Sequence, residues 1–570
     1  MPDHFPRNSI LTFTGLIPYL ESQNYQSRLV FSGGESISYE DFIKKTKTLA
    51  KALKFTGLKS GDKVAIMLES SPLWLMMDLA IMSIGGITVP IFQNLSQETL
   101  IHELEDCKPE YLVVQNSNSV ATLPSLSFSV IKTITASHDS GLSVSTTSIE
   151  SLLTLGKYLP DISVSDISQL LPTSTATIIY TSGTSGTPKG VMLSHSNLIS
   201  QVLSSSKLFD KVDHAGIAIS FLPLEHIFQR MIAYFYILNG VSVHFINDIK
   251  LVSGAMQLVK PTIFVTVPRL LEKVLISVRD QISSLSYFKK FLTTLALNYA
   301  LNHIPSGTKS ILHKIYSKIL YKQILNKFGG KVECVVSGGA PLQNEVYRFF
   351  INIGLPIYQG YGLTECSPVI SSNCPQYSRL YTVGKPFPNV TIRLADDQEL
   401  LVKGSNLMQG YYSTSPNSKS SFNSEGFFHT GDLAEVDAEG YIKIIGRKKD
   451  QFKTSNGKYI NPSKIESHLN SISQIESSCV VGEGRPFVIA LLFVKPQHKS
   501  DLLSLEISLR QTIDTINLKL DKHEHIHYYH LVDFSEISNP ELGFITPSLK
   551  LVRHKIISHF SETIADLYKE

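Results

Sequence analysis

Short apolar runs alternate with longer helical stretches along the first third of the chain. GDKVAIML, at 61–68, is typical of a turn that leads into a buried strand. SPLWLMMDLAIMSIG follows with the length and apolar content of a buried helix, and ITVPIF has the pattern of another strand. HELEDCKPEYLVVQN repeats the order of helix and strand. This alternation predicts α/β layers around a parallel or mixed sheet, and we expect the sole tryptophan, Trp74, in the core.

The pattern resumes after residues 115–170, which are rich in serine and threonine and predict mostly short strands and surface loops. Residues 217–225 predict a strand that ends in FLPLEH, and SVHFIND and PTIFVTVPRLLEKV predict further strands and a helix. Beyond GRKKD, the strings IESSCVVGEG and FVIALLFVKP predict strands that are followed by helices. We therefore expect a large N-terminal body of α/β layers, residues 1–446, and a small C-terminal α+β domain, residues 450–570, joined at 447–449.

The two longest apolar stretches, at 76–92 and 231–246, are each interrupted by polar residues or glycines. Both fall short of the roughly 18 clean apolar residues that a membrane span requires, so each predicts a buried helix, a turn and a strand. MPDHFPRNSI, at the start, has an acidic residue and prolines with no long apolar core behind it. That composition argues against a secretory signal.

The overall composition narrows the possible partners and compartment. Of 570 residues, 43% are hydrophobic and 18% are charged, as in ordinary globular proteins. The net charge of +3, with a pI near 8.3, is too small a basic excess for nucleic acid to be the main partner. The five cysteines are scattered without a CxxC spacing, which argues against a disulfide framework or a zinc site. These features predict a cytoplasmic protein.

Residues 283–328 carry many lysines and no acidic residue, interleaved with Tyr, Phe, Leu and Ile, and predict a helical insertion. A basic face beside an apolar face can lie on an anionic membrane surface, which predicts peripheral contact at the inner face of a membrane. A core-packed helical hairpin with a solvated lysine face explains the same pattern. The sequence leaves both interpretations open.

The stretch that suggests chemistry is YTSGTSGTPKG, at 180–190. Its glycines allow backbone N–H groups to converge on an anion, its hydroxyls add donors, and Lys189 adds a positive charge. A Walker loop is excluded, because Lys189 is preceded by proline and followed by glycine. The TATII before it favours a strand, and Ser194 with Asn197 favours the start of a helix after it. The stretch predicts a mobile polyphosphate cradle, and a surface loop without function is the alternative.

In the order of its residues, YTSGTSGTPKG resembles the signature loop of the adenylate-forming (AMP-binding) superfamily. FLPLEHIFQR and KPTIFVTVPRLLEKV are more similar to the long-chain fatty acyl-CoA synthetase branch than to luciferases or peptide-synthetase domains. KVECVVSGGAPL, LPIYQGYGLTECSP and the TGD and GRKKD segments match later family segments in order. Some relatives have a gating tryptophan just after the position of His226, whereas this chain reads IFQR. We therefore do not expect that gate here.

The resemblance implies the adenylate-forming fold and a set of sites. The nucleotide-binding residues that it implies are Thr181, Ser182, Gly183, Thr184, Ser185, Gly186, Thr187, Lys189, Gly338, Gly339, Ala340, Tyr361, Gly362, Thr364, Asp432, Arg447, Lys449 and Gly457. The catalytic residues that it implies are Lys189, His226, Thr364, Glu365 and Lys550, the last within FITPSLKLVRHKI. Mg²⁺ would be bound by Glu365 and Thr184.

More specifically, the resemblance implies that Tyr361 stacks on adenine and that Asp432 accepts both ribose hydroxyls. Lys449 would be the hinge about which a mobile C-terminal domain turns, and the TSNGK turn that contains Gly457 would border the thiol channel. Lys550 would neutralise charge during attack on the α-phosphate.

The implied reaction uses ATP, Mg²⁺ and coenzyme A. A fatty acid attacks the α-phosphate, pyrophosphate leaves, and a thiol then takes the acyl group. No GxSxG or Cys/His nucleophile signature is present, which agrees with this mechanism. The alternatives are an acyl–acyl carrier protein synthetase, whose acidic carrier would meet the lysines of 283–328, and a catalytically silent nucleotide- or lipid-binding protein.

Overall fold

Strands and helices alternate through most of the chain in the computed structural model. It describes residues 7, 10–116, 119, 130, 132–136, 146–162, 170–182, 188–303, 311–412, 421–472, 474–495, 502–539, 542–545 and 551–569. Its strands are β1 Arg28–Val30, β2 Ser36–Ser38, β3 Lys63–Met67, β4 Ile87–Pro90, β5 Tyr111–Val114, β6 Lys132–Thr135, β7 Thr146–Ser148, β8 Thr175–Ser182, β9 Pro188–Ser194, β10 Ile217–Ser220, β11 Ser242–Phe245, β12 Ile263–Thr266, β13 Cys334–Ser337, β14 Ile357–Gly362, β15 Val369–Ser372, β16 Lys385–Pro386, β17 Val390–Leu394, β18 Glu399–Gly404, β19 Gly410–Tyr411, β20 Phe428–Val436, β21 Ile442–Arg447, β22 Phe452–Lys453, β23 Tyr459–Ile460, β24 Ile475–Val481, β25 Val488–Val494 and β26 Ile526–Asp533.

The helices cover these sheets and fill the insertion. They are α1 Phe13–Gln23, α2 Tyr39–Phe55, α3 Pro72–Ser83, α4 Gln97–Cys107, α5 Ile149–Gly156, α6 His195–Leu208, α7 Ile227–Leu238, α8 Val252–Val259, α9 Pro268–Ser283, α10 Tyr287–Asn302, α11 Ile311–Tyr316, α12 Lys322–Lys327, α13 Asn344–Ile353, α14 Pro462–Leu469, α15 Leu502–Asn517, α16 Arg553–His559 and α17 Ser561–Leu567. A π-helical segment, Ser317–Tyr321, joins α11 to α12.

The first sheet has eight strands in the order β19-β9-β8-β4-β3-β5-β6-β7. The strands from β8 to β7 in this order run parallel, whereas β9 and β19 pair antiparallel with their neighbours. Parallel strands are covered on both faces and therefore need nearly continuous apolar sequence, which β3 and β5 have. The predicted mixed sheet is confirmed, and β8 and β9, which flank the glycine-rich stretch 183–187 in the sequence, pair antiparallel.

The second sheet has nine strands in the order β16-β15-β14-β13-β12-β10-β11-β1-β2. Its middle, from β14 to β1, is parallel, and β2, β15 and β16 are antiparallel. Ligands of such sheets bind beyond the carboxyl ends of the parallel strands. FLPLEH follows β10, the Gly338-Gly339 turn follows β13, and Thr364 follows β14, so the topology brings these three segments to one edge.

A four-stranded antiparallel sheet, β17-β18-β20-β21, follows in the chain. Its register places Asp432 of β20 directly opposite Arg447 of β21. Beyond it, β24 and β25 carry alternate side chains into two separate cores. Val480, Ala490 and Leu492 join one core, whereas Cys479 and Leu491 join the other. The small C-terminal sheet is therefore buried on both faces, which explains why FVIALLFV is apolar at every position.

Several sequence predictions are confirmed. Ser194 and Asn197 form a reciprocal capping box at the start of α6, and Trp74 is fully buried. The stretch at 231–246 forms the end of α7 and then β11, and the described parts of the insertion, 283–303 and 311–328, are mostly helical. No helix in the described ranges has the length and apolarity needed to cross a bilayer.

Other expectations were wrong in detail. The predicted strand at 217–225 ends at Ser220, and residues 149–156, expected as strand or loop, form α5. Gly190 and Lys189 lie within β9 rather than in a loop, because they pair with Tyr180 and Thr181 of β8. Asp432 lies within β20 rather than in a turn.

The C-terminal domain also differs from the expected strands followed only by helices. A third strand, β26, pairs parallel with β25 along its whole length. Its sequence, IHYYHLVD, places histidines and tyrosines at positions where an apolar run would mark a buried strand, so the pattern hides it.

Candidate active site

The strand ends of the large body and the facing C-terminal domain enclose a cleft of about 2950 Å³. Most of the predicted site residues line it: Thr181, Lys189, His226, Gly338, Gly339, Ala340, Tyr361, Gly362, Thr364, Glu365, Asp432, Arg447 and Lys449. Ser182 and Gly457 are not among the described lining residues, and Gly457 lies in the turn between β22 and β23. Gly183, Thr184, Ser185, Gly186, Thr187 and Lys550 lie outside the described residues.

Lys189 and Glu365 are linked by an aromatic residue that the sequence did not suggest. The Lys189 ammonium lies 5.4 Å from the centre of the Tyr411 ring. The Tyr411 hydroxyl donates a hydrogen bond of 2.9 Å to Oε1 of Glu365. Burial raises the pKa of Tyr411, and the negative charge of Glu365 raises it further, so the phenol remains a neutral donor. The cluster sets a cation and a carboxylate on either side of one ring, which suits a polyphosphate with its metal ion.

The pairing of β19 with β9 positions Tyr411 beside Lys189. Residues 410–411, the strand β19, pair antiparallel with β9, and the amide of Tyr412 donates to the carbonyl of Gly190 at 2.7 Å. A side chain on Gly190 would place Cβ 2.8 Å from Cγ2 of Ile178. A side chain at position 190 would therefore require Ile178 of β8 to move, so the packing favours glycine at this position of β9.

The Asp432 carboxylate contacts two other predicted site residues, one through a hydrogen bond and one through an ion pair. The Tyr361 hydroxyl donates to Oδ2 at 2.6 Å, and Nε of Arg447 lies 3.0 Å from Oδ1. The Asp432 side chain is 4% exposed, whereas that of Arg447 is 46% exposed. Burial alone would lower the pKa of Arg447, but the Asp432 charge outweighs it and the guanidinium stays charged. The pair lines the cleft, and the two oxygens of a carboxylate are the acceptors that two neighbouring hydroxyls of a ligand require.

Glu399 and Lys448 hold the backbone next to the Asp432–Arg447 pair. Glu399, on β18, accepts the amide of Gly431 at 2.9 Å and the Lys448 ammonium at 3.0 Å. The amide of Lys448 in turn donates to the carbonyl of Gly431 at 2.9 Å. These contacts fix the backbone on both sides of the Asp432–Arg447 pair just before the predicted hinge at Lys449. The sequence did not single out Glu399 or Lys448, since their partners come from separate strands.

Gly339, in the turn after β13, and Gly362, at the end of β14, are glycines for different structural reasons. Gly339 has φ +82°, a left-handed conformation that favours glycine, and little lies around its missing side chain. At Gly362 a Cβ would meet the carbonyl oxygen of Pro368 at 1.8 Å, which is a packing requirement of the protein itself. The open surface over Gly339 is therefore the better candidate for contact with a planar base, the role predicted from sequence for this turn.

His226 ends the FLPLEH segment and caps α7. Its Nδ1 accepts the amide of Phe228 at 3.3 Å, so the ring proton lies on Nε2 when the ring is neutral. The preceding Glu225 is 5% exposed, lines the cleft, and has one carboxylate oxygen buried with no hydrogen-bond partner. Burial raises the pKa of Glu225 to about 7. The sequence pattern predicts a role for His226 but gives no signal for the carboxyl group of Glu225 beside it.

The C-terminal domain contacts the large body through a short ionic link. Arg269, on α9, donates to the carbonyl oxygen of Glu476 at 2.8 Å and to its carboxylate at 2.5 Å, and Lys273 lies 3.4 Å from the same carboxylate. Nearby, the amide of the Gln343 side chain donates to the carbonyl of Ser467 at 2.6 Å. These contacts join the C-terminal domain to the large body along the lining of the cleft.

The chain matches the family model described as AMP-binding enzyme over residues 21–412. It belongs to the AMP-binding enzyme family. A second model, the AMP-binding enzyme C-terminal domain, matches residues 449–570, which begins at the predicted hinge residue. The resemblance stated from the sequence motifs is thus confirmed at the level of the superfamily.

Curated relatives align with almost the whole of this chain. It is 29% identical over 572 residues to the long-chain-fatty-acid–CoA ligase FadD15 of Mycobacterium bovis, covering 95% of this chain and 94% of that protein. It is 28% identical to the peroxisomal long chain acyl-CoA synthetase 7 of Arabidopsis thaliana, covering 94% and 82%. These relatives support the fatty acyl-CoA synthetase branch.

Solved structures confirm the fold. The adenylation domain of a carboxylate reductase from Mycobacterium chelonae matches with a TM-score of 0.77 at 19% identity, covering 99% of this chain and 95% of that one. ATP-bound MatB from Rhodopseudomonas palustris matches with a TM-score of 0.69 at 22% identity, covering 97% and 99%. The predicted architecture, a large α/β body with a small C-terminal domain, is that of adenylate-forming enzymes.

Proposed function

We propose that this AMP-binding enzyme is a long-chain fatty acid–CoA ligase that forms AMP. The curated relatives that align with nearly all of the chain carry that activity in their names. The observation that carries the proposal is the meeting of two polar clusters, Lys189–Tyr411–Glu365 and Tyr361–Asp432–Arg447, in one cleft. The first suits a polyphosphate and the second suits a ribose, so together they suit ATP.

In the first step the carboxylate oxygen of the fatty acid attacks the α-phosphorus of ATP, and the bond to the β-phosphate breaks. Lys189 stabilises the negative charge on the phosphates, while Asp432 and Arg447 hold the ribose and its phosphate in line. The enzyme supplies no covalent nucleophile. All five cysteines are buried, which agrees with that chemistry.

The cleft also suits Mg²⁺. Glu365 lines it and offers a carboxylate, the hard oxygen ligand that Mg²⁺ prefers alongside phosphate oxygens. Tyr411 fixes one of its two oxygens by a hydrogen bond of 2.9 Å. Thr184 is the second ligand predicted from sequence, and it lies outside the described residues. When bound, the ion neutralises charge on the phosphates of ATP.

In the second step the thiol of coenzyme A attacks the acyl carbon of the acyl-AMP, and AMP leaves. We propose that the C-terminal domain turns about Lys449 between the steps, so that the Arg269–Glu476 link breaks and the turn at Gly457 approaches the thiol channel. His226 then lies beside the reacting carbonyl, whereas Lys550 serves the first step. The thiol of an acyl carrier protein is the alternative acceptor.

We also propose that the protein acts in the cytoplasm as a peripheral membrane enzyme, with residues 283–328 meeting the bilayer. A long-chain acid partitions into lipid, so an enzyme at the membrane surface meets its substrate at a far higher concentration than in water.

Fatty-acid-dependent release of pyrophosphate, followed by identification of the thioester product, tests the proposed function. Coenzyme A and a holo acyl carrier protein are offered together, and we expect only the acyl-CoA. The Lys550→Ala variant should release pyrophosphate roughly 100-fold more slowly, because one charge that stabilises the transition state is lost.

Lys569→Ala is the matched control in the same domain. The side chain of Lys569 is 76% exposed and forms an ion pair with Asp566, which is 71% exposed, so its removal should leave the rate unchanged. Undiminished release from Lys550→Ala would contradict the mechanism, and acylation of the carrier protein alone would replace coenzyme A as the acceptor.

A further inference from the structure

Glu225 is a buried carboxyl group of the cleft that belongs to neither of the two polar clusters. It is 5% exposed, lines the cleft, and its Oε2 has no hydrogen-bond partner among the described residues. Four other carboxylates of the cleft lie 3.0 Å or less from a lysine or arginine nitrogen: Asp432, Glu399, Glu466 and Glu476. An unpaired carboxyl group costs stability when it is buried, so its place in a cleft points to a role in the reaction.

The start of α7 places Glu225 where the apolar part of the cleft meets its polar part. Phe228, Met231, Ile232 and Phe235 recur at helical spacing along α7, and all four line the cleft. Such a stripe suits an acyl chain. The helix begins at the edge of the second sheet that carries the glycine turn after β13, so the carboxyl end of an acid on this stripe lies near Glu225.

Contacts on two sides fix the segment that carries Glu225. The amide of the preceding Leu224 donates to Oγ of Ser70 at 2.9 Å. On the other side, the ring of Phe228 lies 3.2 Å from the position that a Cβ on Gly338 would take. Since the turn at Gly338 is predicted to contact the nucleotide, the segment is held next to the place where the acyl-AMP forms.

His226 offers a hydrogen-bond donor rather than a base at this place. Its Nδ1 accepts the amide of Phe228, so a neutral ring carries its proton on Nε2. A ring in this state can donate to the carbonyl oxygen of an acyl group, but neither nitrogen is ready to accept a proton. The proton that leaves a thiol therefore needs another acceptor, and the adjacent carboxyl group is that of Glu225.

The segments that meet at Glu225 also carry Glu69, His226 and Arg230 as charged or titratable groups. Arg230 is paired with Asp78, and Glu69 accepts an asparagine side chain at 2.9 Å. Burial, rather than any of these groups, raises the pKa of Glu225 to about 7. A general base is most effective when its pKa is close to the pH of the reaction, and this value meets that condition.

We propose that Glu225 is the base that accepts the thiol proton in the second step of the proposed function, on which this inference rests. The S–H proton passes to a carboxylate oxygen of Glu225 while the sulfur forms its bond to the acyl carbon. The bond between this carbon and the phosphate oxygen of AMP breaks, and AMP leaves with the electron pair. His226 donates to the carbonyl oxygen in the same step, and the protonated Glu225 then returns its proton to water.

A single turnover of the full chain with supplied acyl-AMP and coenzyme A tests this role, because it omits the first step. In Glu225→Gln, formation of the thioester at neutral pH should be roughly 100-fold slower, since a general base is lost. ATP–pyrophosphate exchange should be unchanged in this variant, because the first step uses no thiol.

The pH profile of the same single turnover identifies the base. The rate of the unmodified chain should level off above about pH 7, where Glu225 is ionised. In Glu225→Gln the rate should keep rising roughly tenfold per pH unit, because it then depends on free thiolate, and an ordinary thiol has a pKa of about 8.5. Glu225→Asp retains a carboxyl group and should keep the plateau at a lower rate. His226→Asn should also be slower and keep the plateau, since the base remains.

Glu103→Gln is the matched control. Glu103 is also 5% exposed and lines the cleft, and burial raises its pKa to about 8, but it lies on α4 rather than beside α7. This variant should form the thioester from supplied acyl-AMP at the unmodified rate and with the unmodified pH profile.

An unchanged rate and profile in Glu225→Gln would overturn the assignment of the base, as would loss of the plateau in His226→Asn. Equal slowing of thioester formation and of pyrophosphate exchange in Glu225→Gln would also overturn it, because the residue would then serve the shape of the cleft. An unmodified chain that catalyses neither fatty-acid-dependent exchange nor thioester formation would overturn the proposed function instead.

Discussion

Two aspartate–arginine ion pairs in this enzyme differ in their burial and in their predicted roles. In the large body, Arg230 of α7 and Asp78 of α3 are both completely buried and form an ion pair. The guanidinium also donates to Thr177 at 2.8 Å and to Thr88 at 2.6 Å, which lie on β8 and β4. At the cleft, Arg447 is half-exposed and its partner Asp432 faces the lining.

The difference lies in what surrounds each pair. Arg230 donates to hydroxyls on two strands and lies 5.2 Å from the ring of Trp74, while Tyr234 donates to Asp78. Burial alone would lower the pKa of Arg230, yet the charge of Asp78 keeps it raised. This pair joins β8, the strand that precedes the predicted phosphate loop in the sequence, to the helices α3 and α7. The Asp432–Arg447 pair instead lines the cleft, and its arginine side chain is 46% exposed.

The largest expected effect is on stability and comes from breaking the fully buried Arg230–Asp78 pair, here called the closed pair. Arg230→Met leaves the Asp78 carboxylate buried without its cation, and this should lower the free energy of unfolding by about 3–5 kcal/mol. Urea unfolding followed by circular dichroism measures the loss. The exposed pair Arg393–Glu425, with side chains 50% and 56% exposed, gives the control.

Arg393→Met should cost less than about 1 kcal/mol, as is usual for surface pairs. The double variant Arg230→Met/Asp78→Asn should recover part of the stability that Arg230→Met loses. Equal losses at the closed pair and the surface pair would refute the assigned role of Arg230.

A third carboxyl group, Glu225, sharpens the comparison because burial raises its pKa from 4.5 to about 7. A raised pKa in the folded state means that the folded protein holds the proton more tightly than the unfolded chain. The contribution of Glu225 to stability is thus intact below pH 4.5 and is lost as the pH rises through 7. Relative to Glu225→Gln, the unmodified protein should lose about 3 kcal/mol across this window. Urea midpoints at pH 5 and pH 8 for both proteins measure the difference, and parallel pH dependence would contradict it.

At the open pair we expect a loss of binding rather than of folding. Asp432→Asn removes the charge that accepts the predicted ribose hydroxyls, so kcat/KM for ATP should fall roughly 10- to 150-fold, the range for hydrogen bonds to a charged group. The free energy of unfolding should change by less than about 1 kcal/mol, since Arg447 can turn to solvent. Pyrophosphate release over a range of ATP concentrations measures kcat/KM, and urea unfolding measures the free energy of unfolding. A stability loss as large as that of Arg230→Met would remove the distinction between the pairs.

The smallest effect should come from Tyr361→Phe. The ring stays, but the donor to Oδ2 of Asp432 is lost, and one hydrogen bond of about 1 kcal/mol corresponds to a roughly fivefold rise in KM for ATP. The value of kcat should change little, because the ring that is predicted to stack on the base remains. A change in kcat without a change in KM would indicate a role for the hydroxyl in the chemical step instead.

Much of this arrangement could be predicted from the sequence, because its signals are local. The apolar residues of β8 and the capping pair Ser194 and Asn197 mark the elements around the phosphate loop without help from the rest of the chain. The order of the motifs then placed Lys189, Glu365, Asp432 and Arg447 in one family pattern, and the cleft brings them together.

The residues that the sequence missed are those whose meaning depends on distant partners. Tyr411 contacts Glu365 and Lys189 only because β19 pairs with β9, more than 200 positions earlier in the chain. Arg230 is an ordinary charged residue in FLPLEHIFQR until the fold places Asp78 beside it. Asp432 was expected in a turn, since glycine precedes it, but pairing with β21 extends the strand through it.

The burial of every cysteine makes the proposed domain rotation measurable. Burial raises the pKa of the Cys366 thiol well above its ordinary value, and the other four cysteines are equally hidden from solvent. Thiol reagents should therefore leave the native chain untouched. A pair of new cysteines, one near Arg269 and one near Glu476, would then carry a fluorescent donor and acceptor alone. The efficiency of energy transfer between them would follow the opening of the cleft in real time, one half-reaction after the other.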